Sequence, residues 1–122
     1  MTGHVAIVLP PINPKLHAHN TGHWRSKAAA VKQLRQLAQI VSRPFVIETW
    51  DRAILHYAFF VPDNRRRDEA NMIQSQKPAV DGIVKSGLIA DDSWQYLSTG
   101  RVTVEIDRGN PRVVLTFERV TK

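Results

Sequence analysis

The sequence predicts an α+β fold in which two helices pack on one small mixed β-sheet, in the order β-α-β-α-β-β. Two segments have the three- to four-residue apolar spacing of helices, and four segments are rich in alternating, β-branched or aromatic residues. At 122 residues the chain is expected to form a single domain over residues 1–122, and 43% hydrophobic residues suffice for one core.

The first half of the chain contains a predicted strand, a loop and a helix. In HVAIVLP, Val5, Ile7 and Leu9 alternate, and the following Pro10 ends the strand. A loop rich in Pro, Asn and Gly comes next. An amphipathic helix with a basic outer face is predicted from about Trp24 to Val41, ahead of Pro44. The apolar positions that define it are Ala28, Val31, Leu34, Ala38 and Val41.

The middle of the chain predicts a strand and a broken helix. FVIETWDRAILHYAFFV is a strand or a hairpin, with a strand over residues 52–61. A helix from about Glu69 to Ser86 follows, ended by Gly87 in a left-handed cap. Pro78 costs about 3 kcal/mol in a helix interior, so we expect a break with Ser75 as an N-cap. The regular helix then covers residues 76–86, with a buried stripe at Ala79, Val80, Ile83 and Val84.

The C-terminal third predicts an antiparallel hairpin. RVTVEID and RVVLTFERV flank the turn RGNP, which is the arrangement of two hairpin strands.

Charge and composition narrow the class of partner. The net charge is +6 and the pI is about 10.2, which favours a polyanionic partner, nucleic acid first and an anionic membrane surface second. The chain contains no cysteine, which excludes disulfides and thiolate metal sites. No window approaches the roughly 20 apolar residues of a membrane span, and the N-terminus does not have the pattern of a signal peptide. We therefore expect a soluble cytoplasmic protein.

The segment PDNRRRDEANMIQSQKP places cations beside carboxylates. Arg65, Arg66 and Arg67 run into Asp68, and Asp91 with Asp92 follows the second helix. If these carboxylates converge, their hard oxygens would hold Mg²⁺ while the arginines hold the flanking phosphates. The length of the helix could equally separate them.

Each of these features also has a purely structural interpretation. The arginines are equally expected as a solvated surface, Asp68 as an N-cap, and Asp91 with Asp92 as a turn beside Ser93. Lys77 and Asp81 have the spacing of an i,i+4 surface pair. His17, His19 and His23 fit a polar loop better than a metal site, and Trp24, Trp50 and Trp94 are expected in core or interface packing.

Taken in order, these motifs resemble the RusA family of Holliday junction resolvases. The set comprises VLPPINPK, the basic helix, RRRD with Asn71 three residues on, the block QKPAVDGIVKSGLIADD, and two closing strands. The resemblance covers residues 5–120 and is most specific over residues 65–92.

The resemblance implies a homodimeric, Mg²⁺-dependent endonuclease, with Mn²⁺ able to substitute, that resolves four-way DNA junctions by paired symmetric nicks in recombination and repair. Asp68 matches the first metal-binding aspartate of the family, Asp92 matches the later one with Asp91 beside it, and Lys77 matches the active-site lysine. Asp81 matches a further acidic position and is included in the expected catalytic and metal set. DNA contacts are expected from Arg65, Arg66, Arg67, Asn13, Lys15 and Lys85. Small resolvases of this kind are typical of phages and prophages, so the expected setting is a bacterial or phage-infected cell.

One departure from the family pattern affects the expected site. The family has Asp-x-Asp-Asn after the arginines, whereas this chain reads Asp68-Glu69-Ala70-Asn71, with additional residues before Lys77. Either Asp81 or Asp91, ahead of Glu69, supplies the missing carboxylate, or the metal is held more weakly, or activity is lost. The alternative function is a dimeric junction-binding protein with weakened or absent catalysis.

Overall fold

The computed structural model describes residues 3–16 and 24–120 and confirms an α+β fold with one mixed sheet. His17, His19 and His23 lie outside the described residues. The strands are β1 His4–Leu9, β2 Ala53–Val61, β3 Leu97–Ile106 and β4 Arg112–Arg119. The helices are α1 Trp24–Ser42, α2 Glu69–Ser75 and α3 Lys77–Ser86, with short 3-10 turns at Pro14–Leu16 and Arg43–Phe45.

The sheet has the order β1-β4-β2-β3, and this order contradicts the predicted hairpin. β3 and β4 are not partners, because β2 lies between them: Phe59 is opposite Val104 of β3 on one side and Val113 of β4 on the other. β2 runs parallel to β3 and antiparallel to β4. The helical connection from β2 to β3 is the crossover that a parallel pair requires, and β4 then returns on the far side of β2.

The core lies on one face of the sheet, under α1 and α3. Alternate residues of β2 are buried, from Ala53 to Val61, and they form a single cluster with buried residues of the other strands and the helices. Phe59, Leu115 and Phe117 are at most 1% exposed, and each such side chain contributes about 1.5–3 kcal/mol through burial.

The buried stripe of α1 differs from the predicted one. Ala30, Leu34 and Ala38 are buried at four-residue spacing, whereas Ala28 is exposed and Val31 and Val41 are half-buried. Close contact with α3 sets this face. A Cβ on Gly82 of α3 would lie 2.1 Å from the carbonyl oxygen of Arg35. Only glycine permits the two helix backbones to approach so closely.

The predicted helix break is confirmed, but its cap is not. α2 ends at Ser75 and α3 begins at Lys77, with Gln76 between them and Pro78 in the first turn of α3. The Ser75 hydroxyl donates to the carbonyl of Met72 at 2.6 Å and does not cap α3, so the prediction of Ser75 as N-cap is wrong.

The rest of α3 follows the sequence prediction closely. Ala79, Val80 and Ile83 are buried as expected, and Val84 is half-buried. Gly87 has the left-handed cap conformation, with φ of 96°.

Two of the three tryptophans do not pack in the core. Trp50 is buried, whereas Trp24 is 73% exposed and Trp94 is 80% exposed. The core alternative therefore fails for Trp24 and Trp94, and packing of these two side chains in an interface stays a prediction. Within the described ranges 3–16 and 24–120, no helix has the length and apolar character needed to cross a membrane.

Candidate functional site

The loop between β2 and α2 is held together by Arg67. Its guanidinium donates to the carbonyl oxygens of Asp63 and Arg65 at 2.8 and 3.0 Å and to the Asp63 carboxylate at 2.8 Å. The backbone N–H of Arg65 also donates to the Asp63 carboxylate, at 3.1 Å. These bonds, the Arg65 N–H first and the Arg67 guanidinium next, lower the pKa of Asp63. Sequence reasoning missed Asp63, whose only signal is its spacing of four residues from Arg67.

The three arginines therefore have different environments. The Arg67 side chain is only 19% exposed because it lies in the loop, whereas the Arg65 side chain is 77% exposed and makes one longer contact to Asp63, at 3.3 Å. Arg66 is exposed and has no hydrogen bond or ion pair within the described part of the chain. Arg65 and Arg66 are thus available to an anionic ligand, and Arg67 mainly holds the loop.

Asp68 caps α2, so the N-cap interpretation is confirmed. One carboxylate oxygen accepts the N–H of Ala70 at 2.9 Å, and the helix begins at Glu69. A carboxylate has two oxygens and about four acceptor positions, so this bond leaves most of its capacity for another ligand. The cap role and a metal role are compatible.

Asp68 and the arginines border a cavity of about 620 Å³ at the end of β2. The floor is apolar and includes Phe59, Val61 and Met72, while Asn71 and Arg112 complete the polar border. Sequence reasoning also missed Arg112, which lies 3.8 Å over the Phe60 ring and donates to Asp107 at 2.9 Å. The cavity combines an apolar surface with a cationic border.

A second polar cluster forms around Lys77. Its ammonium lies 3.0 Å from the Asp81 carboxylate and hydrogen-bonds to the Asp92 carboxylate. The pKa of Lys77 is raised, first by Asp92 and further by Asp81, and Lys77 in turn lowers the pKa of Asp92. The segment after α3 has therefore folded back so that Asp92 meets the beginning of the helix. The i,i+4 pair of Lys77 and Asp81 is confirmed, and Asp92 extends it.

The remaining predicted residues lie apart from this cluster or make local contacts. Asp91 accepts a hydrogen bond from the Ser93 hydroxyl at 3.1 Å, as the turn interpretation predicts. The Asn13 side chain accepts the backbone N–H of Lys15 at 3.0 Å, so its amide oxygen organises the loop after β1. Lys15 and Lys85 are exposed.

The carboxylates fall into two groups, and their chemistry suits a hard cation. Asp68 borders the cavity, while Asp81 and Asp92 share one cation, the ammonium of Lys77. Among the residues that the structure describes, no three His, Asp or Glu side chains are placed to bind one metal ion together. Mg²⁺ takes only one or two protein carboxylates and keeps several waters, so a pair such as Asp81 and Asp92 has the donor chemistry it requires.

Comparison with known proteins gives one distant relative. No protein-family model matches the chain. The chain is 26% identical over 122 aligned residues to an uncharacterized protein of Xylella fastidiosa (strain Temecula1), with 96% of this chain and 78% of that protein covered. The name of that protein states no activity.

Proposed function

We propose that the chain is a homodimeric, Mg²⁺-dependent DNA endonuclease that resolves four-way junctions by paired nicks, as members of the RusA family do. The observation that carries the proposal is the cluster in which Lys77 contacts both Asp81 and Asp92. These residues are 15 positions apart at their furthest, and they occur in the order of the family motif. Their contact supports a shared site over an isolated surface pair.

Charge supports DNA as the substrate. The chain has a net charge of +6, and the exposed Arg65 and Arg66 stand beside the carboxylate of Asp68. Arginines attract the phosphate backbone, and a nearby carboxylate repels it unless a cation lies between them. A metal-dependent nuclease would use both the arginines and the carboxylate that lie at one border of the cavity.

Each residue has a defined role in the proposed reaction. Asp68, Asp81, Asp91 and Asp92 are the candidates for holding Mg²⁺, which when bound supplies Lewis-acid polarisation of the phosphate. Lys77 acts as a cation and not as a base, because its raised pKa keeps the ammonium protonated at neutral pH. It neutralises negative charge that develops on the phosphate. Arg65 and Arg66 bind flanking phosphates and orient the strand.

The test is cleavage of a labelled four-way junction in Mg²⁺ or Mn²⁺, with a linear duplex of the same arm sequence as control. Wild-type protein is expected to cut the junction at symmetric positions, and Lys77→Met is expected to bind the junction without cutting it. Lys32→Met is the matched control, since it removes the same charge at an exposed position on α1, outside the cluster and outside the expected DNA contacts. Cleavage by Lys77→Met at the wild-type rate would contradict the proposed role of this lysine.

A second candidate function is a junction-binding protein without catalysis, and Ala70 favours it. The family has a second aspartate at this position, and alanine offers no ligand. If another carboxylate has replaced it, Ala70→Asp adds repulsion toward phosphate and leaves cleavage the same or slower, which is the outcome we expect. A large gain in a Mg²⁺ titration of cleavage would instead support a weakened or binding-only protein.

A further inference from the structure

One edge of the sheet is formed by β3 and is open along the regular part of that strand. β3 is ten residues long and pairs only with β2 within residues 3–16 and 24–120. It contains no proline and no lysine, which are common devices that prevent an edge from pairing with another strand. A bulge lies near Gly100, and the segment from Val102 to Ile106 is regular. The opposite edge, β1, has six residues and is followed directly by Pro10 and Pro11.

The backbone of this segment has free hydrogen-bonding groups on its outer side. The N–H of Asp107 donates to the carbonyl of Val61 at 2.7 Å, so Asp107 faces β2. Peptide groups of successive strand residues point to alternate sides, so Thr103 and Glu105 also face β2. The residues whose N–H and C=O groups point away from the sheet are therefore Val102, Val104 and Ile106.

The two faces of β3 differ in chemistry. Val104 and Ile106 lie on the face that carries the helices, since they are opposite buried Phe59 and Val61, yet they are 44% and 52% exposed. The helix layer leaves this end of β3 uncovered. On the other face, exposed Thr103 and Glu105 follow one another. Exposed Arg101 comes before them, at the end of the bulge, and its backbone N–H donates to Nδ1 of His56 on β2 at 2.9 Å, so its backbone faces β2 as that of Thr103 does.

We propose that the edge of β3 pairs antiparallel with β3 of a second copy, about a two-fold axis at Thr103. In this register the backbone N–H and C=O groups of Val102 hydrogen-bond to those of the partner subunit's Val104. The two-fold axis repeats these bonds between Val104 and the partner subunit's Val102. Arg101 is then opposite the partner subunit's Glu105. In an antiparallel pair, a residue whose backbone faces the partner strand must be opposite another such residue, so only every second register is allowed. Among the allowed registers, this one places Arg101 opposite the partner subunit's Glu105. Neither side chain has an ion pair within the described chain.

The symmetry of this pairing fits the proposed reaction. The axis is perpendicular to the sheet, so the four strands of each copy join into one continuous sheet with both helix layers on the same face. Two clusters around Lys77 would then face the same side, as paired nicks in one junction require. The inference rests on the homodimer of the proposed function and on none of its chemistry.

The test is charge reversal, read by analytical ultracentrifugation without DNA or metal. Wild-type protein is expected to sediment as a dimer. Arg101→Glu places like charges opposite each other twice, as does Glu105→Arg, so each single variant is expected to be monomeric. An equimolar mixture of the two variants restores both opposite-charge pairs and is expected to form a heterodimer. The double variant in one chain restores the homodimer.

Several results would overturn the proposal. A monomeric wild-type protein contradicts it directly, and dimeric single variants place the interface elsewhere. A mixture that stays monomeric contradicts the register. Lys32→Glu, an exposed charge reversal on α1, is the matched control and should remain dimeric. Junction cleavage is measured separately, so an inactive dimer would refute the proposed nuclease and leave the interface intact.

Discussion

Replacing Asp68 separates its role in folding from its proposed role at the metal. Asp68→Asn keeps an N-cap, because asparagine accepts the same bond that now comes from Ala70 at 2.9 Å and ranks beside aspartate at this position. Its cost is limited to the lost interaction of a negative charge with the helix N-terminus, about 0.3–1 kcal/mol. Asp68→Ala removes the cap and is expected to cost about 1 kcal/mol.

Urea unfolding and two DNA assays measure these effects. Both variants are expected to lose junction cleavage, and Asp68→Asn should bind the junction with equal or higher affinity because a charge near phosphate is gone. Asp51→Asn is the matched control, since it makes the same substitution at an exposed carboxylate outside the candidate site. Wild-type cleavage by Asp68→Asn would show that Asp68 is only a cap. Failure of Asp68→Asn to fold would refute the capping estimate.

Four further substitutions test the loop, the helix contact and the ion pair. Arg66→Ala should weaken binding to all DNA shapes and reduce the salt slope of log K by about one unit per lost phosphate contact, at unchanged stability. Arg67→Ala should also lower the unfolding temperature, because its guanidinium bonds the loop; equal melting of both variants would contradict this division. Gly82→Ala brings a Cβ to 2.1 Å from a carbonyl oxygen of α1. The cost of overpacking, about 1–3 kcal/mol, should exceed the gain of about 1 kcal/mol in helix propensity, so the variant should unfold at lower urea concentration. A variant that is more stable than wild type in urea would refute the close contact. The pKa of Asp92 is lowered, so its ion pair with Lys77 stabilises the fold fully at pH values above the ordinary pKa of a carboxyl group. This stabilisation is lost as the pH falls through the lowered pKa. Asp92→Asn should therefore be less stable than wild type by under about 1 kcal/mol at neutral pH, and the difference should disappear in acid.

Local sequence signals predicted the elements of this fold better than their pairing. The proline and glycine positions fixed the break before Lys77 and the left-handed cap at Gly87, because backbone restrictions act within a few residues. The hairpin prediction was wrong because RGNP has the composition of a turn whether or not the two strands beside it pair with each other. Insertion of β2 between β3 and β4 depends on contacts such as Phe59 with Val113, which are far apart in sequence.

The same distinction applies to the candidate site. The contact of Lys77 with Asp81 follows from helical spacing alone. Its contact with Asp92 requires the segment after α3 to fold back, which the sequence left open. The sequence also did not predict that Arg67 holds the loop while Arg65 and Arg66 are exposed, since this difference depends on the orientation of the Arg67 side chain toward Asp63. Three like residues in a row give no signal of which one holds the loop.

Under the proposed function, the different environments of the three arginines change how the charges beside the cavity would act on DNA. Arg67 is neutralised by Asp63, and Arg112 by Asp107. The cations at the border that are available to phosphate are therefore Arg65 and Arg66, and Asp68 opposes them. A border with so small a positive excess attracts a phosphodiester weakly unless the carboxylate is covered by a cation. The same residues would therefore bind phosphate weakly without Mg²⁺ and more strongly when Mg²⁺ covers the Asp68 carboxylate. On this reasoning, the affinity gap between Asp68→Asn and wild type should be largest in a chelator and should close as Mg²⁺ is added. A gap that does not depend on Mg²⁺ would mean that Asp68 repels DNA without ever binding the metal.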